Sequence, residues 1–171
     1  LGSATDYTTA NNAGSAQVSE SDGSICRGLV PGINELIILK GARPYRLQGT
    51  SPSTFALTNL VPTTGSKGAI SFQGNIFAVN DVWFVADNGI LNLRTVLNFG
   101  DLKASYGSDR ISPRFEAGNS NTISLQNLSS CAAAYDSQNN RLYFAVDTGA
   151  NDQNDLLLIL DLHTNGWSHW T

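Results

Sequence analysis

The sequence predicts an all-β fold whose antiparallel sheets are arranged as blades of a partial β-propeller. Three observations lead there: apolar residues run consecutively in short blocks, each block is followed by a turn signal and a second short strand, and the blocks recur along the chain. A run such as Leu36-Ile37-Ile38-Leu39 sends neighbouring side chains to opposite faces of a strand, so both faces need cover. Helices cannot provide it. No stretch keeps a 3.6-residue apolar stripe for three turns, and the best window, Leu91 to Ser105, is interrupted by Asn98-Phe99-Gly100. The cover falls to other sheets, and antiparallel sheets stacked face to face in a repeated array describe a propeller.

Residues 1–30 are expected to form an extended polar loop and edge segment, rich in Thr, Asn, Ser and Ala from Thr5 to Ser24, with one edge strand near Ala16 to Val18. Residues 31–171 are expected to hold about three blades, as part of a longer polypeptide; the lack of any Met fits a piece or a processed chain. The first unit, Asn34 to Gly49, places Leu36 to Leu39 before a Gly41 turn and a strand around Pro44 to Leu47. The second, Asn80 to Leu93, leads Val82-Trp83-Phe84-Val85 into Asn88-Gly89, a pair suited to a two-residue hairpin turn because both positions tolerate φ > 0. In the third, Leu142 to Val146 pairs across a polar loop with Leu156 to Leu162, and Asn165-Gly166 turns the chain into a last strand with Trp167 and Trp170. Aligned on Leu36, Val82 and Leu142, the units step by 46 and 60 residues. A blade period is about 40–50 residues, and the loop Thr148 to Asp155 absorbs the excess. Propellers have roughly four to eight blades, so the missing ones are expected from the rest of the polypeptide. The alternative architecture is a β-sandwich of about ten strands.

Composition narrows the function classes. Fourteen acidic against ten basic residues give a formal charge of −4, with 14% charged and 41% apolar residues. Low charge with ample hydrophobics is the reverse of a disordered composition. No Lys/Arg cluster offers a phosphate-binding patch. No apolar run approaches the roughly 20 residues of a membrane helix, so no membrane partner is expected. Cys26 and Cys131, 105 positions apart, are expected to be free, buried thiols. Asn127-Leu128-Ser129 spells a glycosylation sequon that has meaning only in a secretory context.

Catalytic patterns are missing, and neither an enzyme nor a cofactor is expected. There is no G-x-S-x-G elbow and no phosphate-binding glycine loop leading into a helix. His163 and His169 flank the Asn165-Gly166 bend and read as solvated or hydrogen-bonded hairpin residues. Glu20, Glu35, Asp101, Asp109 and Glu116 are scattered, whereas glycoside hydrolysis needs two carboxylates facing one cleft. The one oxygen-rich cluster, with Asp147, Asn151, Asp152 and Asp155, offers the hard donors that Ca²⁺ prefers. It breaks the EF-hand order, because Gly149 falls on a ligand position and Asp152 where the glycine belongs, so a solvated loop is the expected reading. Long loops in a compact fold are usually functional or interfacial. Thr50 to Lys67 and Leu97 to Asn121 are such loops, and Tyr106, Arg110, Arg114 and Phe115 on the latter are candidate interface residues. Tyr7, Tyr106 and Trp170 have the chemistry to stack on sugars, although core or inter-blade packing is the usual use of aromatics in repeated β folds.

Three stretches carry a resemblance. Asp6 to Leu57 resembles a recurrent segment of tail proteins from tailed bacteriophages: an opening with Asp6, Thr8, Thr9, Ala13 and Gly14, then Ile25, Gly28 and Leu29, then Lys40, Arg43, Tyr45, Leu47 and Gly49. VWFVADNGILNL is similar to that family's strand pair, and Ala132 to Val146 followed by LILDLHTNGWSHWT is similar to its ending. The resemblance implies a β-propeller virion structural protein of the tail nozzle, tube or connector, lacking both ends of a full-length member and without a catalytic site. It further implies a homo-oligomeric ring in contact with other tail or portal and adaptor proteins, around a channel through which double-stranded DNA passes during ejection without specific binding. A net negative surface of low charge density suits such a conduit. The alternative is a glycan-binding propeller module for surface attachment, and a third reading is a polysaccharide-degrading enzyme on a propeller scaffold.

Overall fold

The computed structural model describes residues 18, 23–32, 34–60, 68–87, 89–93, 105–116, 123–124, 126–149 and 153–171. The fold is all-β. Among the described residues twelve strands form three four-stranded antiparallel sheets, and the only helical pieces are short 3-10 segments.

The first sheet joins β1 (Cys26–Pro31), β2 (Leu36–Lys40), β3 (Pro44–Gln48) and β4 (Ala56–Asn59) in chain order. The second joins β5 (Asn75–Ala78), β6 (Asp81–Ala86), β7 (Gly89–Asn92) and β8 (Ser105–Tyr106), and the third β9 (Ala132–Asp136), β10 (Arg141–Val146), β11 (Leu156–Asp161) and β12 (Gly166–Trp170). Each is a meander. A sandwich of two sheets is not what forms, and the three sheets do not close into a ring.

Their stacking follows from the consecutive apolar runs. One face of the first sheet, with Val30, Ile37 and Leu39, packs on Val82, Phe84 and Leu91 of the second. The opposite face of the second sheet, with Trp83, Val85 and Ile90, packs on Leu142, Phe144, Leu158 and Leu160 of the third. The middle sheet is therefore covered on both sides, and every residue of β6 is buried. Each fully buried Leu or Phe contributes roughly 1.5–3 kcal/mol of transfer free energy.

The sheets meet along their first strands, β1 beside β5 and β5 beside β9. Polar groups hold these junctions. Asn75 Nδ2 donates to the Arg27 carbonyl (3.2 Å), and the Ala133 amide donates to the Gln73 carbonyl (2.9 Å) beside a parallel bridge from Gln73 to Ala132. The buried Ser71 hydroxyl donates to the Cys131 carbonyl and accepts from the Gln73 and Gly74 amides.

Four details differ from the sequence reading. β1 begins at Cys26, so the first sheet starts inside the segment 1–30; the edge strand expected at residues 16–18 lies outside the described residues except for Val18, which is not in a strand. The hairpin after β6 pairs Ala86 with Gly89, so Gly89 (φ 151°) opens β7 and is not a loop residue of the expected Asn88-Gly89 turn, whose residue 88 lies outside the described residues. Each unit holds four strands, where two were read in the first and second units and three in the third. Cys26 and Cys131 are both free, but Cys26, at the start of β1, is exposed where a buried thiol was expected.

Candidate functional site

The long connector before the third sheet is the segment that sequence reasoning marked for interaction, and the structure fastens much of it to its own chain. Residues Asp109–Phe115 form a 3-10 segment kinked at Ile111. Phe115 is buried in the core between the second and third sheets, so it anchors the connector and is not offered to a partner. Arg110 Nη1 donates to the Asn165 carbonyl (3.0 Å), and Arg114 Nη2 lies 3.2 Å from His169 Nε2. The guanidinium can only donate, so a ring nitrogen of His169 accepts. The backbone of Tyr106 pairs with Leu91.

Gly107 completes the fastening. Its carbonyl accepts from Trp167 Nε1 (3.0 Å), and a Cβ at this position would meet Trp83 Cζ3 at 2.3 Å. Trp167 in turn lies against Phe144, ring centroids 6.3 Å apart. The connector is thus tied across the β11–β12 hairpin. Exposed Asp109 and Glu116 stand at its two ends, and Glu35 faces Arg46 at 3.9 Å in the first sheet.

The oxygen-rich loop has its own internal partners. Asp147 is buried; its Oδ2 accepts from Asn127 Nδ2 (2.6 Å) and its Oδ1 from the Gly149 amide. Asp155 accepts from the Thr148 hydroxyl (2.6 Å) and amide (2.8 Å), and the Thr148 hydroxyl bond, followed by the amide, holds its carboxyl below the usual range. Asn151 and Asp152 lie outside the described residues. Among the described residues no three His, Cys, Asp or Glu side chains gather as metal ligands. The bond to Asp147 also engages the amide nitrogen of the sequon residue Asn127.

The two thiols differ in setting: Cys26 is exposed and Cys131 buried. Burial pushes the Cys131 thiol up to about 12, which leaves it protonated and inert at neutral pH. His163 is exposed in the β11–β12 turn, and Tyr7 lies outside the described residues. Trp170 is 71% exposed.

The stack ends in a sheet face on either side, as three units short of the usual four or more blades imply. The first sheet turns Leu29, Ile38, Tyr45 and Leu57 away from the second, and the third turns Tyr143, Leu157, Ile159 and Trp170 away from it. Of these, Ile38, Tyr45 and Ile159 are themselves buried, whereas Leu29 and Trp170 are exposed. Among the described residues no helix is long and apolar enough to cross a membrane. Comparison with models of known protein families and with curated proteins gives no match.

Proposed function

We propose that this protein is a structural component of a tailed-bacteriophage virion, its sheets serving as blades of a β-propeller that forms part of the tail nozzle, tube or connector around the DNA exit channel. The observation that carries the reading is the stack of three four-stranded meanders laid first strand beside first strand, with the middle one covered on both faces. That is how blades surround an axis, and it agrees with the resemblance of the three sequence stretches to phage tail proteins. The role is mechanical. Rigid sheets hold shape while connectors such as 105–116, pinned by Phe115, present Asp109 and Glu116 to neighbouring ring or tail proteins. A net charge of −4 favours passage of DNA over its retention.

Cryo-electron imaging of particles that contain the protein tests this. Its density is expected on the DNA axis at the tail. Density in the capsid shell, or complete infectious particles made without the protein, overturns the reading. The exposed Trp170 favours a second one, attachment to a surface glycan through aromatic stacking. Glycan-array binding that Trp170→Ala abolishes would put that reading first.

A further inference from the structure

The outer strands of the three sheets are finished in different ways. β8 is two residues long, and β12 is tied through Trp167 and His169 to the connector 105–116. β4 has neither safeguard. Among the described residues it is the last strand of its sheet, exposed at all four positions, with no charge, proline or break in register. Native edges are usually blunted by such devices, because a row of open amides and carbonyls templates a further strand.

The ladder shows which groups of β4 are open. The Leu60 amide donates to the Pro44 carbonyl (3.1 Å). Hydrogen-bonded pairs alternate along an antiparallel ladder, so Thr58, opposite Arg46, turns its main-chain groups to β3, and Leu57, opposite Leu47, turns its own outward. Side chains add an apolar patch to that edge. Leu57 (36% exposed) and Phe55 (44%), two residues apart in extended backbone, share the face that carries Leu47.

The occupant that this edge fits is a second copy of itself. Directly opposite residues across a new antiparallel joint must both turn outward, so a self-pairing is centred on a residue and not between two. Centred on Leu57, it sets Leu57 against Leu57 of the second copy and Ala56 against Thr58. Leu47 and Leu57 of both copies then form one apolar row across four strands, flanked by the two Phe55 rings. Centred on Thr58, it would set Leu57 against Asn59 and break that row. No residue from Phe55 to Asn59 is charged, so like strands meet without repulsion. We infer that two copies of this chain join edge to edge through β4, antiparallel about Leu57, as one continuous eight-stranded sheet. The contact is isologous and uses the open edge of both copies, so it stops at two. It goes beyond the proposed function and does not rest on it.

Sedimentation of the purified chain tests this, with amide exchange read on the same samples. The contact is small, so the mass should double from 18.2 kDa between about 10 μM and about 1 mM. Over that range the Leu57 amide should become protected, while the Thr58 amide, already turned to β3, changes little. A mass that stays single, or one that doubles with no change at Leu57, overturns the inference, and growth beyond two copies overturns its closure. Leu57→Lys and Leu57→Glu each change an exposed side chain, and thermal unfolding checks that the fold is kept. Each alone should pair about tenfold more weakly, because like charges then stand opposite each other. Mixed in equal amounts, the two variants should pair more tightly than either alone, since the opposed charges are then unlike. Pairing that mixing does not strengthen places Leu57 away from the two-fold centre and overturns the register.

Discussion

In the third sheet a carboxylate closes every turn. Asp136 accepts from the Gln138 and Asn139 amides between β9 and β10, Asp155 from Thr148 across the β10–β11 loop, and Asp161 from the His163 and Thr164 amides between β11 and β12. The first sheet closes its turns with backbone and hydroxyl groups. The Gly32 amide donates to the Glu35 carbonyl (2.8 Å), the Lys40 amide to the Arg43 carbonyl (3.2 Å), and the Thr54 hydroxyl accepts from the Thr50 and Ser51 amides. The covered faces differ too. The third sheet packs through Phe144 and Trp167 and is backed by Phe115 and Leu128, whereas the first packs through the smaller Val30, Ile37 and Leu39. One strand order thus carries two kinds of reinforcement. The third sheet should be the stiffer body, but also the one whose turns respond to acid.

Truncating the two cores gives the largest effect and can break the comparison outright. Phe144 and Leu39 are both fully buried. Phe144→Ala should cost about 3–5 kcal/mol and Leu39→Ala about 2–5 kcal/mol in chemical unfolding. Hydrogen exchange separates them: Leu39→Ala should release β1–β4 while β10 and β11 stay protected. If β10 and β11 lose protection first in that variant, the third sheet is not the stiffer body.

Ser71→Ala probes the junction between the second and third sheets alone. The change leaves the Cys131 carbonyl and two amides without their buried partner, at about 1–3 kcal/mol. Protection should fall at Ala133 and its neighbours in β9 and be unchanged in β2. An equal loss in both sheets would show that the stack opens as one unit.

The inner strands of the sheets were legible as consecutive apolar runs: β2, β6, β10 and β11 each carry one, and in β6 burial on both faces leaves no room for alternation. Among the flanking strands, β3, β7 and β12 were legible from their turns, but β4, β5 and β9 were not. β4 is exposed at all four residues, and β9 is mostly alanine, too small to mark a face. β5 escaped notice because its turn, Val79-Asn80, lacks the glycine that usually signals φ > 0, yet both residues adopt it (52° and 60°). The candidate site was legible only as a long connector. That Phe115 points inward, and that Arg110 and Arg114 reach the β11–β12 hairpin, depends on contacts 55 residues away that no local pattern encodes.

The Val79-Asn80 turn provides a reference point in the sheet between the two. A β-branched residue in the left-handed region is strained by about 1–2 kcal/mol, and Val79 is exposed, so its side chain provides little burial in return. Val79→Asn should raise stability by about 1 kcal/mol, a rise of about 2–4 °C in Tm for a chain of this size. Both flanking sheets should gain protection only as far as global unfolding slows. A gain confined to one of them would show that this sheet, and not the middle one, shares the hairpin's fate.

The smallest effect is the acid response, and it bears most directly on how the turns differ. Asp161 is held below the usual carboxylate value, near 3.8, first by the Thr164 and His163 amides and then by Arg141, 3.4 Å away; Asp136 is held down chiefly by Asn139 and Asp155 by Thr148. A carboxyl whose folded value lies below its unfolded one stabilises the fold above the unfolded value, and that contribution fades as pH drops through the folded value. These groups lie at the surface, Asp136 and Asp161 half-buried and Asp155 exposed, and are screened by solvent, so each contributes little, and the loss falls below about pH 4. Asp161→Asn removes the ionisable group. The stability gap between wild type and this variant should be open at pH 7 and close as the pH falls below the usual carboxylate value, with the amides of His163 and Thr164 losing protection before those of the β1–β2 turn. A gap that does not change with pH would mean that Asp161 holds the β11–β12 turn by shape and not by charge, and the two sheets would then close their turns by the same physics.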